Sequence, residues 1–439
     1  MNYLVSIFHQ IILLYVMENK ESFSKCFLFL LVFISFLSVK CNFNSNLVNI
    51  NTPLALDSFP AELIYRIKGN VIYLNKGTFV VKNSLTVPSN YSLVGNKTVL
   101  NFTNENSIAT IEIYGKKNIK ISNINFVGQK LRNNMDGATL TMLNYKNIID
   151  LKNSKNVIIS KCTFRESYGT GIKIHDCNIV KIDLCVFENI GVPTPKGVPY
   201  SSDAVFVGAY KNTTDVIIKS SKFINIGSRF PSMNPPNPND GDGVHILGAG
   251  NIAQVSVVDN IFEYCSARAV KIQSGSNYLV SGNLMNNCYS AVVMAMGTGI
   301  ANVMIKNNII NRSAFVFSTD GVQPGITLQG LSITGNKIDS SYYFFRTNGT
   351  SAVADCIIGK NIVNSMDIFF VAGRFLNSKI MDNKVLKFNA KKDKSFNMAI
   401  YLNEESKDVL IENNTFGKTL DSDVILENKS NVKGSILLK

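Results

Sequence analysis

From about residue 116 onward the chain repeats one short phrase: an alternating apolar segment, a polar step, and a second short segment that closes on a large apolar residue. It recurs as "NVIISKCTF", "IVKIDLCVF", "DVIIKSSKF", "QVSVVDNIF", "YLVSGNLM", "VMIKNNII", "LSITGNKI", "CIIGKNIV", "KIMDNKV" and "VLIENNTF". Alternation with a period of two predicts strands with one face buried. The closing residues are Phe164, Phe187, Phe223, Phe262, Met285, Ile310, Ile338, Val363, Val385 and Phe416, separated by 23, 36, 39, 23, 25, 28, 25, 22 and 31 residues. A basic step in the low twenties, built from short β-branched strands, predicts a parallel β-solenoid whose coils stack at roughly 4.8 Å. For 439 residues the length alone suggests two or three domains. The repeat replaces that estimate with a single repetitive domain over 116–439, preceded by an N-terminal cap and first coils over 42–115.

Two positions before the closing residues stand Asn260, Asn283, Asn308, Asn336, Asn361, Asn383 and Asn414. This column predicts an asparagine ladder, each Asn in a left-handed turn with its amide bonded to the coils on either side. Most Asn is therefore structural, and the eight Asn-x-Ser/Thr triplets are weak signs of glycosylation. Cys162 and Cys185 share the column in earlier coils, and Cys265 and Cys288 form a second pair 23 residues apart. Stacked neighbours lie within disulfide range, so both disulfides and a column of buried thiols are open. The chain has no Cys-x-x-Cys pair, which argues against zinc.

Composition adds two points. The segment "MENKESFSKCFLFLLVFISFLSVKCNFNSN" has a short polar start, an apolar run and then an abrupt change to Asn-rich sequence, the layout of a secretory leader. Residues 1–41 are expected to be removed, with Met17 a candidate true start and a secreted or cell-surface destination. Cys41 is a candidate lipid-anchor site, although Lys40 is not the small residue such a signal prefers. The balance of 44 Lys+Arg against 31 Asp+Glu gives a net charge of +13, which favours an anionic partner. No basic run is interleaved with aromatics, so nucleic acid is a poor fit and an acidic polysaccharide a better one.

These features resemble the right-handed parallel β-helix proteins of the pectate lyase superfamily. The segment "GNVIYLNKGTFVVKNSLTVPSNYSLVGNKTVLNF" is similar to their usual start, with "NKGTF" leading into the first coils. The resemblance covers about residues 60–439. It implies an active cleft on one sheet, beside the most variable turn. The two long steps place extra chain there: "GVPTPKGVPY" before Asp203 and "SRFPSMNPPNPND" before Asp242. Such proline-rich loops are expected to wall a groove.

The strands that follow stack by their apolar pattern as "NIIDL", "TGIKI", "DAVFV", "DGVHI" and "RAVKI". One column then reads Asn147, Thr170, Asp203, Asp242, Arg268, and the position three residues on reads Asp150, Lys173, Phe206, His245, Lys271. With the apolar partners inward, the charged residues are expected to face outward into the groove. Asp203, Asp242, His245, Arg268 and Lys271 are the candidate catalytic residues, and Asp150, Lys173 and Phe206 the candidate substrate-binding ones. Phe206 reads equally as a sugar-stacking platform or a loop anchor.

Three chemistries suit this set. In β-elimination of a uronate, a base removes the proton beside the carboxylate while cations or a bound Ca²⁺ neutralise it; Lys173, Arg268 and Lys271 are bases or neutralisers, and Asp203 and Asp242 candidate Ca²⁺ ligands. In glycoside hydrolysis Asp203 and Asp242 form the acid and base pair. The third is binding without turnover, as in an adhesive solenoid. The polygalacturonase branch pattern is an Asp in "NTD", a "DD" pair, a "GHG" histidine and an "RIK". Asp203 and Asp242 match in part, but Gly241 replaces one Asp of the pair, Arg268 stands at the His, and "RIK" is missing. The alginate and chondroitin lyase branch resembles the stretch around "NIFEYC", without the Arg expected in "SAVVMAMGTG". The expectation is a polysaccharide lyase for an acidic polysaccharide, with hydrolase and binding-only readings behind it.

Overall fold

The computed structural model describes residues 58–103, 109–128, 147–191, 203–227, 241–295, 299–319, 327–347, 352–389, 399–402, 406–417 and 426–428. The leader segment, Cys41, Asp240 and the two proline-rich insertions lie outside them. The described residues belong to one structural unit, Leu54–Lys439. Among them are 37 strands and one short 3₁₀ helix, Ala61–Leu63. No helix among them is long and apolar enough to cross a membrane.

Each coil supplies three short strands, one to each face of the solenoid. Ile172–His175, Asn178–Asp183 and Val186–Ile190 pair in parallel with Val205–Gly208, Asn212–Lys219 and Lys222–Ile226 of the next coil. Among the described strands, the antiparallel pair is Ile64–Lys68 with Val71–Leu74 at the first coil. The ten closing residues stack in register from Phe164 to Phe416. Inside, the rings of Phe126, Phe164, Phe187, Phe223 and Phe262 lie almost parallel with centroids 5.0, 4.8, 4.9 and 4.5 Å apart. That spacing is the inter-strand distance itself, so the rings of successive coils stack in contact.

The asparagine ladder is present, with one correction to its turn. Nδ2 of Asn260, Asn283, Asn308, Asn336, Asn361 and Asn383 donates to Oδ1 of the next Asn in the column, at 2.8–3.0 Å. The same oxygen accepts the backbone N–H of the preceding ladder residue, as from Asn283 to Asn308 at 3.0 Å. The left-handed residue is not the ladder Asn but the one before it: Asp259, Gly282, Asn307, Gly335, Lys360, Asp382 and Asn413 all have φ between 54° and 67°. The preceding residue turns the chain, and the Asn, now pointing inward, satisfies the turn's buried polar groups. Ser221 extends the ladder backwards, its N–H donating to Asn260 Oδ1 and its Oγ accepting from the Cys185 N–H. Cys162, Cys177, Cys185, Cys265, Cys288 and Cys356 are all buried and free, so the cysteine columns are stacks of thiols.

Extra chain enters at the turn that leads onto one face. Gly191 and Asp203 flank the first proline-rich insertion, Gly227 and Gly241 the second, and Gly128 and Asn147 a further segment two coils before the first. That face, formed by Ala109–Tyr114, Asn147–Lys152, Ile172–His175, Val205–Gly208, Val244–Ile246, Arg268–Ile272 and Ser290–Met294, carries the candidate residues.

Candidate acid–base site

The register reproduces both columns read from the sequence. Asp150, Lys173, Phe206, His245 and Lys271 are successive Cα partners, with Glu112 one coil before and Val293 one coil after. Three residues earlier, backbone N–H groups join the rungs bearing Thr170, Asp203, Asp242 and Arg268: Gly171 to Asp203, Ala204 to Asp242 and Gly243 to Arg268, at 2.9–3.1 Å. The five candidate catalytic residues therefore sit on three neighbouring coils of one face.

Their exposure differs from the expected open groove. Asp203, Asp242, His245 and Lys271 are 1, 0, 3 and 5% exposed, and Arg268 alone of the five is partly exposed. Alternation puts His245 and Lys271 on the outer side of their strands, while Asp203 and Asp242 stand two residues ahead of theirs; outer does not mean solvated here, and together they form a buried cluster with Arg268 at its rim.

Burial makes the electrostatics strong. Neither oxygen of Asp242 accepts a hydrogen bond from a described residue. Instead Arg268 Nη1 lies 3.6 Å, Lys271 Nζ 3.8 Å and His245 Nδ1 3.9 Å from its carboxylate. Loss of solvent raises the Asp242 carboxyl to about 6, against the pull of Arg268, His245 and Lys271 and with the help of Asp203. His245 goes the other way from a normal buried imidazole. Burial favours its neutral form, but Asp203, hydrogen-bonded to Nδ1 at 3.0 Å, and Asp242 outweigh it and hold the ring above its usual pKa. Nε2 contacts Gln273 Oε1. Both ring nitrogens thus face acceptors, which suits an imidazolium that donates twice.

Asp203, Asp242 and His245 can each turn one ligand atom to within 4.8 Å of the others. The charge around them does not fit the Ca²⁺ expected from the sequence. Calcium takes six to eight oxygen ligands; here a doubly hydrogen-bonded imidazole, a guanidinium and an ammonium already surround the carboxylates.

Gly241 has a steric role. A Cβ there would lie 2.3 Å from Gly227 Cα and 2.8 Å from Ser266 Oγ. Adjacent coils touch backbone to backbone at this point, so an Asp at 241 completing a "DD" pair would push the coils apart.

The other end of the face is different. Asp150 is 8% exposed and accepts from Asn147 Nδ2 at 3.2 Å. Burial raises its pKa, opposed chiefly by Lys173. Phe206 is half-buried between two imidazoles, tilted against His175 and edge-on to His245, each at 5.3 Å, with the Lys173 ammonium 5.9 Å from its ring. Beside it Tyr210, 69% exposed, stacks on His175 at 5.0 Å. Burial lowers His175 to about 4, with Lys173 and Lys152 adding to the effect, so it is neutral at pH 7. Sequence reasoning missed Gln273, His175 and Tyr210. The signal for His175 and Tyr210 lay two positions along the same strand from Lys173 and just past the strand of Phe206.

Residues 200–354, the coils holding this cluster, match the model of a family described as the right handed beta helix region. The chain is a right-handed parallel β-helix. It is 24% identical over 214 residues, 47% of its length, to the uncharacterized protein YclG of Bacillus subtilis (strain 168), and it spans only 33% of that relative. Among solved structures this β-helix is similar to PfbA, a surface adhesin of Streptococcus pneumoniae, with a TM-score of 0.55 and 15% identity over 84% of this chain and 89% of that one. It is also similar to a tailspike protein mutant of E. coli bacteriophage HK620 in complex with a pentasaccharide, with a TM-score of 0.57 and 13% identity over 78% of this chain and 69% of that one. At these identities the likeness is one of fold.

Proposed function

We propose that this β-helix is an extracellular polysaccharide-handling protein that cleaves an acidic polysaccharide by β-elimination at the Asp242 cluster. The surface adhesin and the pentasaccharide-bound tailspike support a carbohydrate partner and a surface setting. The observation that carries the elimination reading is Asp242: a fully buried carboxylate, without hydrogen bonds, among three cationic groups and with a pKa near the working range. Arg268, at the rim, receives the uronate carboxylate. Asp242 takes the proton from the carbon bearing that group, the electron pair forms the new C=C bond, and the glycosidic C–O bond breaks. The departing oxygen takes a proton from the Lys271 ammonium, which recovers one from Asp242 3.8 Å away. His245, fixed between Asp203 and Gln273, supplies positive charge without leaving its place.

A panel of polygalacturonate, alginate, hyaluronan and chondroitin sulfate tests this. The ultraviolet absorbance of an unsaturated product should appear with at least one polymer and vanish in Asp242→Asn and Arg268→Ala. New reducing ends without absorbance would move the assignment to a hydrolase. A second reading, binding without turnover, is favoured by the 0–5% exposure of Asp203, Asp242, His245 and Lys271 against the open Tyr210–His175 pair; retention of an uncut polymer would establish it.

A further inference from the structure

A trough of about 480 Å³ lies outside the acid–base cluster, at the turns that lead onto the same face in later coils. It is lined by, among others, Tyr289, Arg312, Ser313, Ala314, Tyr342 and Asp367. Its shape follows from the register. The Ala314 N–H bonds to the Tyr289 carbonyl, and the pairing of Ser313 with Ser341, Ser341 with Met366 and Met366 with Phe388 puts Tyr289, Ala314, Tyr342, Asp367 and Asn389 in one column. Ala314 is the small member between two tyrosines, and the missing volume is the deep part of the trough. Four coil spacings separate Tyr289 from Asn389, roughly 19 Å at the inter-strand distance. With lining residues on each of these coils, the trough runs along the helix axis.

The lining is polar at the bottom and aromatic at the sides. Ser313 is 2% exposed and its Oγ has no hydrogen-bond partner among the described residues, although it borders the trough. A buried hydroxyl left so is costly unless something else meets it. Tyr289 is held edge-on by Phe315 at 5.6 Å, and Tyr342 is 38% exposed. Asp367 accepts from Asn389 Nδ2 at 3.0 Å. One guanidinium, from Arg312, and one carboxylate, from Asp367, cancel in charge. A polymer with a carboxylate on every unit meets Asp367 as well as Arg312, whereas a chain of hydroxyls meets only donors, acceptors and ring faces.

From this lining we infer that the trough binds a neutral oligosaccharide lying along the solenoid axis, with ring faces on Tyr289 and Tyr342 and a hydroxyl at Ser313. The inference uses none of the residues assigned to elimination and holds whether or not a polymer is cut. Cellohexaose, maltohexaose and mannohexaose, with hexagalacturonate as the charged counterpart, are titrated into the full chain by calorimetry. At least one neutral hexasaccharide should bind, and bind more tightly than hexagalacturonate. Tyr342→Ala, at an exposed position, should weaken that binding at least tenfold, and Ala314→Leu, which fills the deep part, should do the same. Unfolding midpoints of both variants are measured alongside, so that a loss from misfolding is recognised and Tyr342→Phe, which keeps the ring, then serves as the folded comparison that should bind. Arg268→Ala should leave the affinity within twofold. Failure of every neutral hexasaccharide to bind at millimolar concentration, binding indifferent to Tyr342→Ala, or equal loss in Arg268→Ala would overturn the assignment.

Discussion

Replacing Asp242 with asparagine should stabilise the protein at neutral pH, although it deletes a carboxylate with three cationic neighbours. Asp242 is 0% exposed, and burial lifts its carboxyl from 3.8 to about 6. For an acid, a folded-state value above the unfolded one means that the native state holds the proton more tightly. Stability from this group is then greatest below about pH 4 and is lost as pH rises towards 6. About 2 pH units at 1.36 kcal/mol each give about 3 kcal/mol, the cost at pH 7 of keeping the charge in the fold, net of its attraction to Arg268, Lys271 and His245. Asparagine has the shape of the protonated acid and never bears that charge. Urea unfolding of wild type and Asp242→Asn between pH 4 and pH 8 should show the variant more stable by about 2–3 kcal/mol at pH 7–8, with the gap closing towards pH 4. His245 modifies the middle of the range. Its raised pKa contributes stability below the unfolded value near 6.5 that is lost as pH rises through the folded one. The variant removes only the smaller, Asp242 part of that contribution. A variant less stable than wild type at pH 8, or an offset constant from pH 4 to pH 8, would refute the reasoning that desolvation outweighs the three cations.

Further outcomes follow from the packing. Asn308→Ala should lower stability by about 1–3 kcal/mol, because it strands the partners of four hydrogen bonds in a 0% exposed turn, without altering polysaccharide binding; an unchanged urea midpoint would contradict the ladder's role. Gly241→Ala should cost about 1–3 kcal/mol by pushing apart two coils that touch at Gly227, read from the same denaturation curve. The six buried helix thiols should be silent to a thiol reagent in native protein and all react in denaturant, since burial raises the pKa of five of them: Cys162, Cys177, Cys185, Cys265 and Cys356.

The strand register was legible because it rests on a strict period of two. Once the apolar residues of "TGIKI", "DAVFV", "DGVHI" and "RAVKI" were aligned, Lys173, Phe206, His245 and Lys271 had to share a column, and they do. The conformation of the ladder turn was misplaced by one residue. An Asn column suggests a left-handed Asn, whereas the preceding column, which mixes Asp, Gly, Asn and Lys, is the one that carries positive φ. Its enrichment in Asp, Gly and Asn was the missed signal. Burial of the cluster was beyond the sequence for another reason: alternation tells which side of a strand a residue takes, not what covers that side. The Gln273 contact to His245 was illegible too, because no local pattern marks a glutamine just past the end of a strand as a partner for the coil before it.

The asparagine ladder also governs which changes of length the gene can accept. Because each ladder amide must meet the next, an insertion or deletion inside the ladder turn or the strands beside it is harmless only if it spans a whole coil, such as the 25 residues between Asn283 and Asn308 or the 22 between Asn361 and Asn383. Anything shorter puts every later strand out of step. At the turn leading onto the working face the spacing between closing residues already stretches to 36 and 39. Length variation among descendants of this sequence is thereby directed to one side of the molecule, where it can alter what is recognised while the stack behind it keeps count.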